Sequence, residues 1–277
     1  MILGRWRREA PPRSSEGESQ EPVEVARSDD DDALVIDASE VERLAEARAA
    51  VLERISQAAV RAGRDPAAIT LVAVSKTVPA DRLRAAVAAG LDLLGENRVQ
   101  EAESKAPLVP GARWHLVGPL QSNKARRAIT LFAAIESVDS VELAVRLDRL
   151  VREARGQATD GTVEPAGRFP ILLQVNVDAD PDKAGFAPAE VAAVVRSIAG
   201  LGALDVAGLM TIGRLVIDAE AARPTFAALR SLGARLREAG LPLGGELSMG
   251  MSDDYVVAVE EGATIVRIGR ALFGERR

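Results

Sequence analysis

"LVAVSKTVP", residues 71–79, poses the question that decides the fold. Residues 71–75 are a short apolar run, with β-branched Val72 and Val74, bounded on its far side by Pro79. A continuous run of this length, without polar alternation, predicts a strand buried on both faces. It stops at Lys76. A cation there costs free energy unless a partner wants it, or unless burial has turned it into a neutral amine.

Seven more runs of the same kind follow: "LDLLGE", "RWHLVGP", "FAAIES", "FPILLQVNV", "DVAGLMTI", "GELSMGMS" and "TIVRIGRALFG". Amphipathic helical patterns such as "PADRLRAAVAAG" and "SVELAVRLDRLVREA" separate them. Buried strands alternating with helices predict an α/β fold with a parallel sheet covered on its faces. Eight such units in roughly 240 residues match a single (β/α)₈ TIM barrel, and a doubly wound open sheet is the alternative.

Upstream, Val41, Leu44, Ala47, Val51, Ile55 and Ala58 recur at helical spacing. They predict an N-terminal helix capped by Asp37 or Ser39 and ended by Gly63. Residues 1–33 are poor in apolar side chains, and residues 29–32 are four consecutive aspartates. This segment is read as a disordered acidic tail, a solvated spacer, ahead of a barrel domain spanning 34–277. The polar stretch 155–168 is read as a long mobile loop between a helix and a strand.

The composition narrows the function. Aromatic residues are 3% of the chain and the net charge is −6, which argues against nucleic acid and anionic membranes as partners. With no cysteine, disulfides, thiolate catalysis and zinc–thiolate sites are excluded. No apolar run approaches the ~20 residues of a membrane span. The opening "MILGRWRREAPP" lacks a secretory apolar run. A cytoplasmic monomer is expected.

In a barrel the C-terminal strand ends meet at one mouth. Here they carry Lys76, Glu96 and Asn97, His115, Asn176 and Asp178, Met210 and Thr211, then "SMGMS" and "RIGR". Phosphate sites in barrels favour the loops after strands seven and eight. Ser248, Ser252, the backbone freed by Gly250, and Gly269 stand there. Across the mouth, a desolvated Lys76 would be a nucleophilic amine. A ligand with both an aldehyde and a phosphate satisfies both features, and pyridoxal 5′-phosphate is one. The plainer reading is that Lys76 reaches to the surface or pairs with Glu96.

The motifs "LVAVSKTVP", "GENRVQE", "WHLVGPLQSNK", "GLMTI", "LSMGMSDD" and "VRIGRALFG" closely resemble the YggS/PROSC family, the pyridoxal phosphate homeostasis proteins. The resemblance runs from about residue 37 to 273. It implies a single barrel similar to the N-terminal domain of alanine racemase, with pyridoxal phosphate held covalently, as a Schiff base, on Lys76. It also implies Arg267 against the pyridine nitrogen, the backbone of Gly269 and Arg270 on the phosphate, and Ser248 as a phosphate ligand. Asn97 and Met210 look like pocket-lining positions. The implied role is to hold the cofactor and release it to apo-enzymes. Arg98 departs from the family, which often has tyrosine after "GEN", and the acidic tail has no counterpart.

The resemblance leaves an enzyme as the alternative, an amino-acid racemase or a relative. Racemisation needs an acid–base group on each face of the cofactor. The racemase draws its second one, a tyrosine, from a separate β-domain, and none is expected after strand eight here. Tyr255, the single tyrosine, is placed early in a helix capped by Ser252. His115, the single histidine, is read as a satisfied strand residue, and Lys124, Arg126 and Arg127 as a solvated helix face. A non-catalytic carrier is therefore expected.

Overall fold

The structure, a computed structural model, describes residues 36–157, 167–214 and 218–275. The acidic segment 1–33 and most of the loop 155–168 lie outside the described residues. Eight parallel strands close into a barrel in sequence order. They are β1 (Thr70–Val74), β2 (Leu93–Glu96), β3 (Arg113–Leu116), β4 (Ala134–Val138), β5 (Phe169–Gln174), β6 (Leu204–Met210), β7 (Glu246–Ser248) and β8 (Ile265–Ile268). Each predicted run overlaps one of them, and β1, β4 and β6 each extend one residue beyond theirs. The open-sheet alternative fails because β8 pairs with β1, from Thr70↔Ile265 to Ala73↔Ile268.

Alternation along the strands divides the apolar residues into two sets. Val72, Leu93, Leu172, Met210 and Ile265 fill the barrel interior. Ala73, Leu94, Leu116, Ile135, Leu173 and Ile268 face outward into a second, larger core. That outer core is covered by α1 (Ala38–Arg61), α2 (Ala80–Ala88), α3 (Val99–Lys105), α4 (Ala125–Leu131), α5 (Val141–Gln157), α6 (Val191–Ile198), α7 (Arg223–Glu238), α8 (Tyr255–Glu260) and α9 (Arg270–Phe273). Burial on both faces is why the strands read as unbroken apolar runs.

The N-terminal helix stands as its periodicity predicts. Asp37 caps α1 by accepting from Ser39 N at 2.9 Å, and Gly63 just beyond the helix takes a φ of 64°. Leu44, Val51, Ile55, Ala58 and Ala59 are buried, and α1 packs beside α2, α8 and α9. Tyr255 does begin α8, but Ser252 does not cap it. The cap position is Asp254, whose carboxylate accepts from Met251 N, while Ser252 Oγ accepts from Ala271 N of α9. Among the described residues, no helix is long and apolar enough to cross a membrane.

Candidate functional site

Closure of the barrel sets Lys76 beside the last strand. Val72 and Val74 belong to the interior set, so Lys76, two residues further on, keeps the inward parity at the end of β1. It is half-buried and lines a cleft of about 790 Å³ with Val74, Thr77, Gly269, Arg270 and Phe273. The expectation that "RIGR" lies across the mouth is thus corrected: β1 and β8 are hydrogen-bonded neighbours. Backbone comes unusually near at this seam. A Cβ on Gly269 would stand 3.2 Å from Val74 O, tighter than nearly all real contacts. Glycine therefore lets the start of α9 lie against β1 with its backbone uncovered.

The rim of the cleft holds α9 in place. Arg82 donates from Nε to Glu40 Oε1 at 2.5 Å and from Nη2 to Phe273 O at 2.6 Å. Its guanidinium also sits 5.9 Å from the Phe273 ring centre. The bond from Arg43, with help from Arg82, depresses the Glu40 carboxyl to about 2. Arg270 itself is exposed and pairs with Asp253.

Beneath the cleft, the barrel interior carries a chain of buried polar groups. Arg267 donates from Nη1 to Ser248 Oγ at 2.6 Å and from Nη2 to Thr211 O at 2.8 Å. Ser248 Oγ donates in turn to Glu136 Oε2 at 2.6 Å, and Glu136 Oε1 lies 2.7 Å from His115 Nδ1. Burial pushes the Glu136 carboxyl up, but the His115 contact, Arg267 and Ser248 outweigh it, and the group titrates below its ordinary value. His115 is a fully buried strand residue, as read from the sequence, and its Nδ1 is held by Glu136. Burial lowers the Arg267 guanidinium from its ordinary value against the opposing pull of Glu136 and Asp254. Met210 is fully buried in the interior apolar set.

The chain matches the family described as "Alanine racemase, N-terminal domain" over residues 47–277. It is 44% identical over 237 residues to a protein of Pseudomonas aeruginosa named "Pyridoxal phosphate homeostasis protein", covering 84% of this chain and 96% of that one. This chain belongs to the pyridoxal phosphate homeostasis protein family. The Escherichia coli K12 protein of that name is 38% identical over 239 residues, with 82% and 94% covered. Among solved structures, PipY of Synechococcus elongatus with PLP bound superposes with a TM-score of 0.67 at 42% identity, covering 81% of this chain and 100% of that one. Alanine racemase of Clostridium difficile is 16% identical at a TM-score of 0.60, a likeness of fold.

In this family member the predicted residues divide into three groups. Lys76, Gly269 and Arg270 share the cleft. Ser248, Arg267 and Met210 lie below it, inside the barrel, with Gly250 at the end of β7 at a φ of 91°. Asn97 stands apart. It lines a neighbouring depression of about 740 Å³ with Arg98, Gln121 and Lys124. Asn176 serves its own loop, donating from Nδ2 to Asp180 O and Lys183 O. Arg126 and Arg127 are exposed and pair with Glu153 and Glu103, as a solvated helix face should.

Sequence reading missed two groups in this family member. Glu136 is one, and its only signal is an acid inside the apolar run "FAAIES". The other is Lys105, which takes the place assigned to Lys76 in the plainer reading. Lys105 Nζ binds Glu96 Oε1 at 2.7 Å, and Ser75 Oγ donates to the same oxygen at 2.7 Å. Glu96 is fully buried, and burial raises its carboxyl despite these bonds.

Proposed function

We propose that this chain binds pyridoxal 5′-phosphate at the mouth of its barrel and serves in the homeostasis of that cofactor. It holds the cofactor covalently on Lys76 Nζ and releases it to apo-enzymes, without catalysing an amino-acid reaction. The observation that carries this reading is the shared cleft: an amine and an uncovered glycine backbone at one seam, within reach of one ligand. The names of the Pseudomonas and Escherichia relatives and the PLP-bound PipY structure support it.

When bound, the cofactor supplies an aldehyde that condenses with an amine and a pyridine ring that withdraws electrons. The residues present fit it. Lys76 is half-buried and lines the cleft, so its amine is within reach of a ligand seated there. Lys105 is unsuited to that role, because its Nζ is engaged by Ser75 O, Glu96 and Glu101. The backbone amides of Gly269 and Arg270, with the turn at Gly250, are assigned to the phosphate, and the Ser248 hydroxyl would join them by turning its proton away from Glu136. Arg267 is assigned to the pyridine nitrogen. A guanidinium is donor-only, so Arg267 would leave that nitrogen unprotonated and would make the ring a weaker electron sink. Met210 is assigned to the floor, and Asn97, which lines the neighbouring depression, is assigned to the wall by the family resemblance alone.

The non-catalytic part of the reading rests on the opposite face of the site. Tyr255 is packed in the outer core, and His115 is engaged with Glu136. Neither is offered as the second acid. We also propose that the chain works in the cytoplasm as a monomer.

The test is direct. The purified protein, incubated with pyridoxal 5′-phosphate, should gain a visible absorption band that borohydride removes, with the label fixed on Lys76. Lys76→Ala should lose the covalent link, and the loaded wild type should activate an apo-enzyme. A protein that stays colourless sinks the site. Exchange of amino-acid α-protons into deuterated water at ~1 s⁻¹ or faster would overturn the carrier role.

A further inference from the structure

The residues on either side of Lys76 are held by one buried cluster of charges. On the near side, Ser75 O accepts from Lys105 Nζ at 2.8 Å, and Ser75 Oγ donates to Glu96 at 2.7 Å. On the far side, Thr77 N donates to Glu101 Oε1 at 2.6 Å. Lys105 closes the circuit by binding Glu96 at 2.7 Å and Glu101 at 2.6 Å. Glu101 and Lys105 are four residues apart on α3, so both face the end of β1 from one helix. Ser75 N also bonds Gly95 O at 2.9 Å, which ties the turn to β2.

The backbone shows what the cluster does. Thr77 has a φ of 66°, and only Ala179 joins it as a non-glycine residue with positive φ among the described residues. A β-branched residue takes this conformation only where its surroundings impose it. The Glu101 bond to Thr77 N holds it there, together with the turn bond from Val78 N to Ser75 O at 3.0 Å. Stability alone does not account for the cluster, because a buried ion group is no better for folding than apolar residues of the same volume. What it does provide is a fixed direction for the residue between its two anchors.

We propose that Glu101 and Lys105, with Glu96, are positioning residues for Lys76: they clamp the strand-to-helix turn so that the Lys76 amine points into the cleft at Gly269. The inference rests on the assignment of Lys76 as the attachment point. It adds that attachment depends on a turn built by the segment "GENRVQEAESK".

Two probes separate positioning from folding. Pyridoxal 5′-phosphate reports attachment, through the rate at which apo protein acquires borohydride-reducible label on Lys76. Pyridoxine 5′-phosphate has no aldehyde and reports the rest of the pocket. In full-length Glu101→Ala, which loses the Thr77 bond, attachment should slow by about tenfold or more, the scale of an ångström-level misplacement. The pH profile of attachment should shift, while pyridoxine 5′-phosphate affinity stays within about twofold of wild type. Glu101→Gln keeps an oxygen for Thr77 N and should recover most of the rate. This side chain is a quarter exposed, so both variants are expected to fold.

Attachment by Glu101→Ala at the wild-type rate and pH profile would overturn the proposal. So would a parallel loss of affinity for both probes, or a Glu101→Gln as slow as the alanine variant. A wild type that is never labelled on Lys76 removes the assignment beneath the proposal, and is told apart because it fails before any variant is made.

Discussion

Arg267 and Arg61 each bind a hydroxyl or carboxylate partner, yet the two sit in opposite settings. Arg267 lies inside the barrel, 4% exposed, in a chain through Ser248 to Glu136 and His115. Arg61 lies on the helical ring, its side chain 54% exposed, in a network where Glu260 binds both Arg61 and Arg223. On the ring, water competes for every charge, and each pair is worth little. In the interior, removing one member strands the rest without water. The same residue types therefore build a replaceable surface in one place and an all-or-none scaffold in the other.

The largest expected effect tests that scaffold. Glu136→Ala should strand Arg267 and His115 and lower stability by about 3–5 kcal/mol, read from denaturant unfolding. A change no larger than that of a ring variant would erase the contrast between the two regions. Gly250→Ala should come next. Its Cβ would stand 2.5 Å from the Ala258 Cβ at a φ of 91°, a strain of about 1–3 kcal/mol beside the mouth.

Glu40 lies between the two regions, at the rim, and its effect is read through pH. Its folded-state value of about 2 lies below the ordinary 4.5, so it contributes stability that is fully present above pH 4.5. That contribution disappears as pH falls towards 2. The stability gap between wild type and Glu40→Gln should shrink over the same window, as measured by unfolding at a series of pH values. Glu96 has the opposite sign. Burial raises its carboxyl, so proton uptake favours the folded state as pH falls. The smallest effect is expected on the ring: Arg61→Ala should cost about 0–1 kcal/mol and lose its effect in high salt, checked by melting temperature.

How far the site was legible follows from the physics of each residue. Lys76 stood out because a cation ending an apolar run is a local contradiction, visible in nine letters. "SMGMS" and "RIGR" stood out through glycines at strand ends. Glu136 and Lys105 did not stand out. An acid in one strand and a lysine on one helix are ordinary until another element is laid beside them. The partner of Glu96 was missed for the same reason: β2 supplies the acid, and α3 supplies an amine, Lys105, at 2.7 Å.

The sequence by itself determined the α/β class, eight strands with helices between them, and left closure into a barrel to the pairing of β1 with β8. Eight apolar runs with no polar alternation can be buried only as strands covered on both faces, and the helical patterns between them supply the cover. It also determined which residues end those strands, because side-chain parity is a local property of extended backbone. Only the tertiary structure decided who meets whom. Closure pairs β1 with β8 and so brings Lys76 to Gly269, a neighbour 193 residues further along the chain. Packing of α3 against the end of β1 decided that Lys105 takes Glu96 and that Thr77 is held in its unusual turn. Those contacts depend on distances set by the fold as a whole, and no local pattern of residues encodes them.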